Sequence, residues 1–415
     1  VPVERSALRR IADATQAGGG STKGPLLGVA FGLCSFALRF SQLRPNRIAS
    51  GTGVPAWEIL TLLEMSLLLF PLAVCLFLSL RPGGRRPSSS RALPLACGIS
   101  GNFLVCLVFY LSGKAARILV SPETPNARVS MGLGAWMMVL AGYVFVLFAL
   151  EDGSMKKHEK ALFSLGGAAV LLAFTAAGFL DGISVLREFD ARSDRFLGEL
   201  ASHLLIAGTS VGAAVIIGIP LGVVAFRKRL AERPVFFAVN TVQTIPSLAL
   251  FGLLIAPLAY LSRTFPLLRR IGISGVGAAP AFVALTLYSL LPIVRNTYTS
   301  LKVIDPGIPE AGKGMGMGRV QLLLRVEVPI SLPIILSGIR VSLVQAIGNT
   351  TVAALIGAGG LGVFVFQGLG QAVPDLILLG VIPVICLAII TDRVMQAFVR
   401  LITPKGLSQT AGGLG

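Results

Sequence analysis

Apolar blocks long enough to cross a bilayer recur along this chain, and they decide what it can fold into. The hydrocarbon layer is about 30 Å thick, so a helix rising about 1.5 Å per residue needs about 20 residues to span it. Ten stretches approach that length: 24–40, 57–80, 92–112, 130–150, 161–180, 199–226, 234–257, 276–297, 331–350 and 375–399. Composition agrees: 54% of the 415 residues are hydrophobic and 13% charged, where a soluble chain carries about a quarter charged residues. The expected fold class is therefore all-α, a polytopic membrane protein with about ten transmembrane helices. The first stretch follows Arg9, Arg10 and Lys23 as a signal peptide would, but no small-residue cleavage pattern follows it, so it reads as a retained helix.

A net charge of +17 invites a nucleic-acid reading. The Lys and Arg residues instead lie scattered in short loops between apolar spans, without a basic face or interleaved aromatics. Alternate loops divide them 23 against 12, and the richer set, which includes both ends of the chain, is expected in the cytoplasm. That places 181–198 outside, where Asp181, Glu188, Asp190 and Asp194 mix with three arginines as a short amphipathic helix. The five cysteines (Cys34, Cys75, Cys97, Cys106, Cys386) sit in apolar stretches with no CxxC pair and read as buried packing. Two histidines, His158 and His203, are too few for a zinc or haem site, so no metal is expected.

Composition shifts near residue 190. Residues 1–190 hold five spans and both tryptophans, Trp57 and Trp136; residues 191–402 hold five spans dense in Gly and Pro; 403–415 reads as a cytoplasmic tail. Pro220, Pro246, Pro257, Pro280 and Pro292 interrupt the second set. Proline removes a backbone donor, which lipid tolerates only where neighbours or water re-satisfy the freed carbonyl, so such broken helices tend to line a pathway. Within spans, Glu64 and Arg340 each lie about two turns in, where an ionisable group usually faces the bundle or water.

Two nucleotide-binding patterns fail on context. Residues 307–314 (GIPEAGKG) match a P-loop except that Gly314 replaces the hydroxyl residue that holds Mg²⁺; no strand precedes them, and Pro309 disrupts the cradle. Residues 357–362 (GAGGLG) match GxGxxG but lie between two spans, not in a βαβ unit. A glycine run there fits close helix approach or a non-helical turn.

The informative stretch is Glu310–Pro329, EAGKGMGMGRVQLLLRVEVP. It resembles the EAA loop of bacterial ABC importer permeases: EAA, three residues, G, nine residues, then I-x-L-P. Gly312 replaces the second Ala, Val326 the Ile and Val328 the Leu, while the spacing is kept. Short helices bearing small residues lie deep in a partner's groove, and a glycine ends them with positive φ. The resemblance narrows to osmoprotectant (glycine betaine, choline, carnitine) permeases through Ile219–Gly222, Asn240–Leu248 (NTVQTIPSL), Leu287–Tyr288, Leu291–Tyr298 and Ile356–Gly362, covering about 196–400. It implies a type I ABC importer permease core in the last five helices, in the bacterial inner membrane. It also implies two ATPase subunits, an external solute-binding protein and a second permease copy or sister permease.

On this resemblance the chain is no enzyme and binds no cofactor; ATP and Mg²⁺ belong to the partner ATPase. Residues implied in ATPase coupling are Glu310, Ala311, Gly312, Gly316 and Pro329; those implied along the pathway are Asn240, Gln243, Pro246, Ser247, Asn296, Gly359 and Gly360. The alternative, an ion-gradient-driven secondary transporter, needs core carboxylates, and after residue 200 the spans offer only Asp392.

Overall fold

A computed structural model of the chain describes residues 23–403 apart from 81–90, 122, 125 and 271. The tail at 404–415, the N-terminal basic residues before Lys23 and the basic loop at 81–90 lie outside the described residues. The chain separates into two compact units, Val1–Ala191 and Arg192–Gly415.

Nine helices among the described residues are long and apolar enough to cross a membrane. The first expected span is shorter than expected: α1 (Lys23–Phe36) has 14 residues and gives way to a strand. The remainder of the first unit comprises α2 (Leu62–Leu80), α3 (Ala92–Leu119), α4 (Leu133–Glu151), α5 (Lys157–Ala176) and the short α6 (Ser184–Asp190). Its core is the side chains of Leu68, Leu72, Leu104, Val108, Leu111 and Phe145, all at most 1% exposed. Helices α3 and α4 meet where Gly101 faces Gly142: a Cβ on either would come within 2.8 Å of the other's carbonyl oxygen.

A three-stranded antiparallel sheet, ordered β2-β1-β3, has no counterpart in the sequence reading. It is built from β1 (Arg39–Arg44), β2 (Thr52–Pro55) and β3 (Arg128–Met131). Strand β1 follows α1 and β3 leads into α4, so the sheet occupies the ends of these helices. Glu64 lies in the first turn of α2, not two turns in. Its Oε2 accepts the Thr61 backbone N–H at 2.9 Å and its Oε1 lies 2.6 Å from Lys114 Nζ of α3. It is a helix-start cap tied to a neighbour, not a free carboxylate within a span. Cys75 and Cys97 are buried with their sulfurs 3.8 Å apart, but Cys34 and Cys386 are exposed, contrary to expectation.

The second unit is built on α7 (Ser193–Arg227), a 35-residue helix whose first residues lie in 181–198, the segment expected to hold a short amphipathic helix; α6 lies in the same segment. The expected span at 234–257 is broken into α8 (Arg229–Thr244) and α9 (Ser247–Thr264) at Ile245–Pro246. Then follow α10 (Ala278–Lys302), α11 (Gly307–Gly314), α12 (Val328–Ala353), the short α13 (Gly362–Gly370) and α14 (Pro374–Ile402). Helix α10 is the hub, packed against α7 and α12, with Ala281, Ala284, Leu285, Ile293 and Val294 fully buried. Large apolar side chains such as Leu205, Ile216, Ile385 and Ile390 stay more than half exposed. Lipid covers such surfaces in a membrane protein.

Candidate functional site: the Glu310–Pro329 segment and the broken helix

Residues 310–329 form a built element. Helix α11 ends in a reciprocal pair of backbone bonds: the Gly316 N–H donates to Lys313 O at 2.9 Å and the Met317 N–H to Gly312 O at 3.1 Å. Those are the two bonds of a Schellman stop, which needs a left-handed residue at the turn. Gly316 supplies it with φ +82°. The chain then doubles back, and Gly312, the buried residue of α11, faces Leu322: a Cβ on Gly312 would lie 2.6 Å from Leu322 Cδ1. Glu310, Ala311, Gly316 and Pro329 are exposed, as are the apolar side chains Ile308, Met315, Val320 and Leu324, at 40%, 72%, 69% and 60%. The stretch that mimics a P-loop is this helix.

Between this element and α12 the backbone widens into a π-helical turn, Leu323–Glu327, a distortion often found at functional sites. Its last residue, Glu327, is buried with a side chain 3% exposed, and it pairs with Arg227 Nη2 at the end of α7. Arg227 is 39% exposed. The ion pair ties the Glu310–Pro329 segment to the longest helix of the unit. Further along α12, Arg340 faces a partner within the bundle. It clamps Asp392 of α14 through two bonds, Nε to Oδ1 at 2.6 Å and Nη2 to Oδ2 at 2.9 Å. The carboxylate weighed as an ion carrier is thereby held by a guanidinium.

The break in the α8–α9 span is stabilised from α10. Pro292 has no N–H, so the carbonyl of Tyr288, four residues earlier, loses its helical donor. The Gln243 side-chain amide takes that place, with Nε2 2.6 Å from Tyr288 O. The Tyr288 hydroxyl in turn donates to Ile245 O at 2.5 Å, the carbonyl left over where the chain breaks before Pro246. Gln345 Nε2 of α12 reaches Gln243 Oε1 at 3.5 Å. Pro292 thus frees one carbonyl and the break at Ile245–Pro246 leaves another, and Gln243 and Tyr288 satisfy them reciprocally.

The other pathway candidates lie in separate settings. Asn240 is on the exposed side of α8, and Ser247 opens α9. The Asn296 amide donates to Pro292 O within its own helix at 2.8 Å, where Gly338 of α12 packs against it. Gly359 and Gly360 belong to a loop held by α7: the Gly360 N–H donates to Glu199 Oε2 at 2.7 Å and the Leu361 N–H to His203 Nδ1 at 3.3 Å. Accepting at Nδ1 leaves Nε2 as the protonated nitrogen, and it donates to Ile347 O at 3.0 Å. Both glycines have positive φ, and a Cβ on Gly360 would meet the His203 ring at 3.1 Å. Sequence reasoning gave His203 and Glu199 no role. The one available signal was that a fully buried histidine needs partners for both ring nitrogens.

Comparison with known proteins divides the chain in a similar way. Residues 22–186 match the family described as ABC transporter permease YehY, N-terminal domain, and residues 214–404 match binding-protein-dependent transport system inner membrane component. The osmoprotectant import permease protein OsmW of Salmonella typhimurium is 44% identical over 214 residues, covering 51% of this chain and 94% of the relative. The glycine betaine/carnitine/choline transport system permease protein OpuCB of Bacillus subtilis is 43% identical, with 51% and 90% covered. Among solved structures, an inward-facing MetNI methionine ABC transporter chain aligns with 50% of this chain and 96% of its own, at 24% identity and TM-score 0.44. The secondary-transporter alternative falls with these relationships. The chain is a multi-pass inner-membrane permease and belongs to the binding-protein-dependent transport system inner membrane component family.

Proposed function

We propose that this permease translocates a compatible solute, of the glycine betaine or choline class, delivered by an external binding protein and driven by separate ATPase subunits. The observation that carries the reading is the Glu310–Pro329 element, with its small exposed residues and an apolar rim of Ile308, Met315, Val320 and Leu324. A segment of that chemistry fits a groove on a soluble partner. The solute class rests on the relatives' names. In this scheme ATP closes the ATPase pair, the element moves with it, and through Glu327–Arg227 and α12 the motion reaches the broken helix; hydrolysis resets the system. A second permease, identical or sister, completes the pathway.

The second unit has no Trp, and its tyrosines Tyr260, Tyr288 and Tyr298 are dispersed along the sequence. Quaternary ammonium groups are held by aromatic cages, so the binding protein supplies the cage. Vesicles containing this chain, its ATPase and its binding protein are expected to accumulate radiolabelled glycine betaine or choline only with ATP inside and binding protein outside. Uptake driven by an ion gradient without ATP overturns the reading.

Orientation is part of the proposal: both termini cytoplasmic, with Arg227–Arg233 inside and 181–198 outside, from the basic-residue imbalance. A cysteine at Asp190 is expected to react with an impermeant thiol reagent in intact cells, and one at Lys228 to be protected. The opposite pattern inverts the topology.

A further inference from the structure

The first unit carries a cluster of arginines that transport by the second unit does not use. Arg44 ends β1 and stands directly opposite Arg128 of β3 in the antiparallel register. Opposed residues share a face of the sheet, and like charges placed so repel. Gln42 and Ser130, the next opposed pair on the same face, are polar. The reversal after β1 folds Gly51 back to where its Cβ would lie 3.0 Å from Arg44 Cγ, and Arg44 is only 8% exposed. Its Nη2 reaches Gln42 Oε1 at 3.4 Å, a long contact, and its Nε is buried with no acceptor among the described residues. Three residues on, Arg47 Nε lies 2.9 Å from Glu188 Oε1, while its Nη2 is likewise buried without an acceptor. Arg187, beside Glu188, donates to Ala127 O at 2.9 Å, next to Arg128.

Buried guanidinium donors without acceptors are rare in folded proteins and call for a missing ion or group. Glu188 lies against Arg47 and does not supply the Arg44 Nε. We infer that Arg44 and Arg47 form a binding site for a phosphate-class oxyanion. A phosphate offers several acceptor oxygens to several forked donors at once, which suits guanidinium recognition. Position supplies the source: the sheet occupies the ends of α1 and α4, the level at which lipid headgroups lie against a membrane protein. A lipid phosphate therefore reaches the cluster from the bilayer, and a free phosphate ion has the same chemistry.

The test uses the full chain purified in detergent. Native mass spectrometry after addition of phosphatidylglycerol is expected to show one phospholipid retained per chain, with retention weakened at least tenfold in Arg44→Gln and Arg47→Gln and unchanged in Arg269→Gln of the other unit. Arg47 is the more exposed of the two cluster residues, so its variant keeps the test open if Arg44→Gln does not fold. Delipidated protein is titrated separately with inorganic phosphate, followed by its melting temperature. A rise that both variants lose supports the site with a free ion as its source. Equal lipid retention in wild type and variants overturns the inference, as does no response of wild type to either probe.

Discussion

Arg227→Ala is expected to destabilise the second unit more than Glu327→Gln, although both break the same ion pair. The asymmetry follows from burial. Glu327 has a side chain 3% exposed, and losing Arg227 strands its carboxylate in low dielectric, the situation that costs about 3–5 kcal/mol when a buried pair loses one partner. Losing the Glu327 charge leaves Arg227, 39% exposed, to be solvated by water, and the cost is that of a charge-assisted hydrogen bond, about 1.5–3 kcal/mol. Thermal unfolding of the purified protein reads the difference directly, and equal shifts would show that Glu327 is not desolvated as the structure has it. The double variant Arg227→Met/Glu327→Met separates stability from coupling. Apolar replacement of a buried pair is often neutral or stabilising, so the melting temperature is expected to recover while solute-stimulated ATP hydrolysis stays low. The π-helical turn at Leu323–Glu327 would then no longer be tied to α7 by charge.

The bilayer-crossing elements were legible in the sequence because the length of an apolar block is a local property. Eight of the ten expected spans appear as single long helices, one is divided at Ile245–Pro246, and the first is a 14-residue helix. Pro246 announced the break; what stabilises it was not legible. The reciprocal bonds of Gln243 and Tyr288 join residues 45 and 43 positions apart. Such pairs have no signature in spacing, although Pro292 marks the Tyr288 carbonyl as needing a donor. The β-sheet has no signature in the sequence for a related reason: its strands are four to six residues long, and β1 pairs with β3 nearly 90 positions away. Glu64 and Arg340 stand out in the sequence as charges in apolar surroundings, but their partners, Lys114 and Asp392, come from other helices. Charge in a span is visible in one dimension. Whether it is free is decided in three.

Gly316→Trp is expected to abolish solute-stimulated ATP hydrolysis while leaving the protein inserted in the membrane. Two effects contribute, and the structure allows them to be separated. The first is strain: at φ +82° any L side chain is disfavoured, by about 1–2 kcal/mol. The second is bulk. Among the described residues no atom lies within 4 Å of where a Gly316 Cβ would sit, and the residue is exposed, so a side chain leaving this position points into open space. Any loss caused by bulk must then arise against another molecule docked on the segment. Gly316→Ala carries the strain without the bulk, and Gly316→Asn carries less strain because asparagine tolerates the left-handed region. The expected order of coupling is wild type, Asn, Ala, then Trp far below. Glu310→Ala is expected to do less, since an exposed charge at a rim contributes about 1 kcal/mol or less. Gly314→Ser, which completes the P-loop pattern inside a helix, is expected to confer no ATP binding. If Ala and Trp impair hydrolysis equally, the glycine serves only to end α11, and the segment is not the surface on which the ATPase docks.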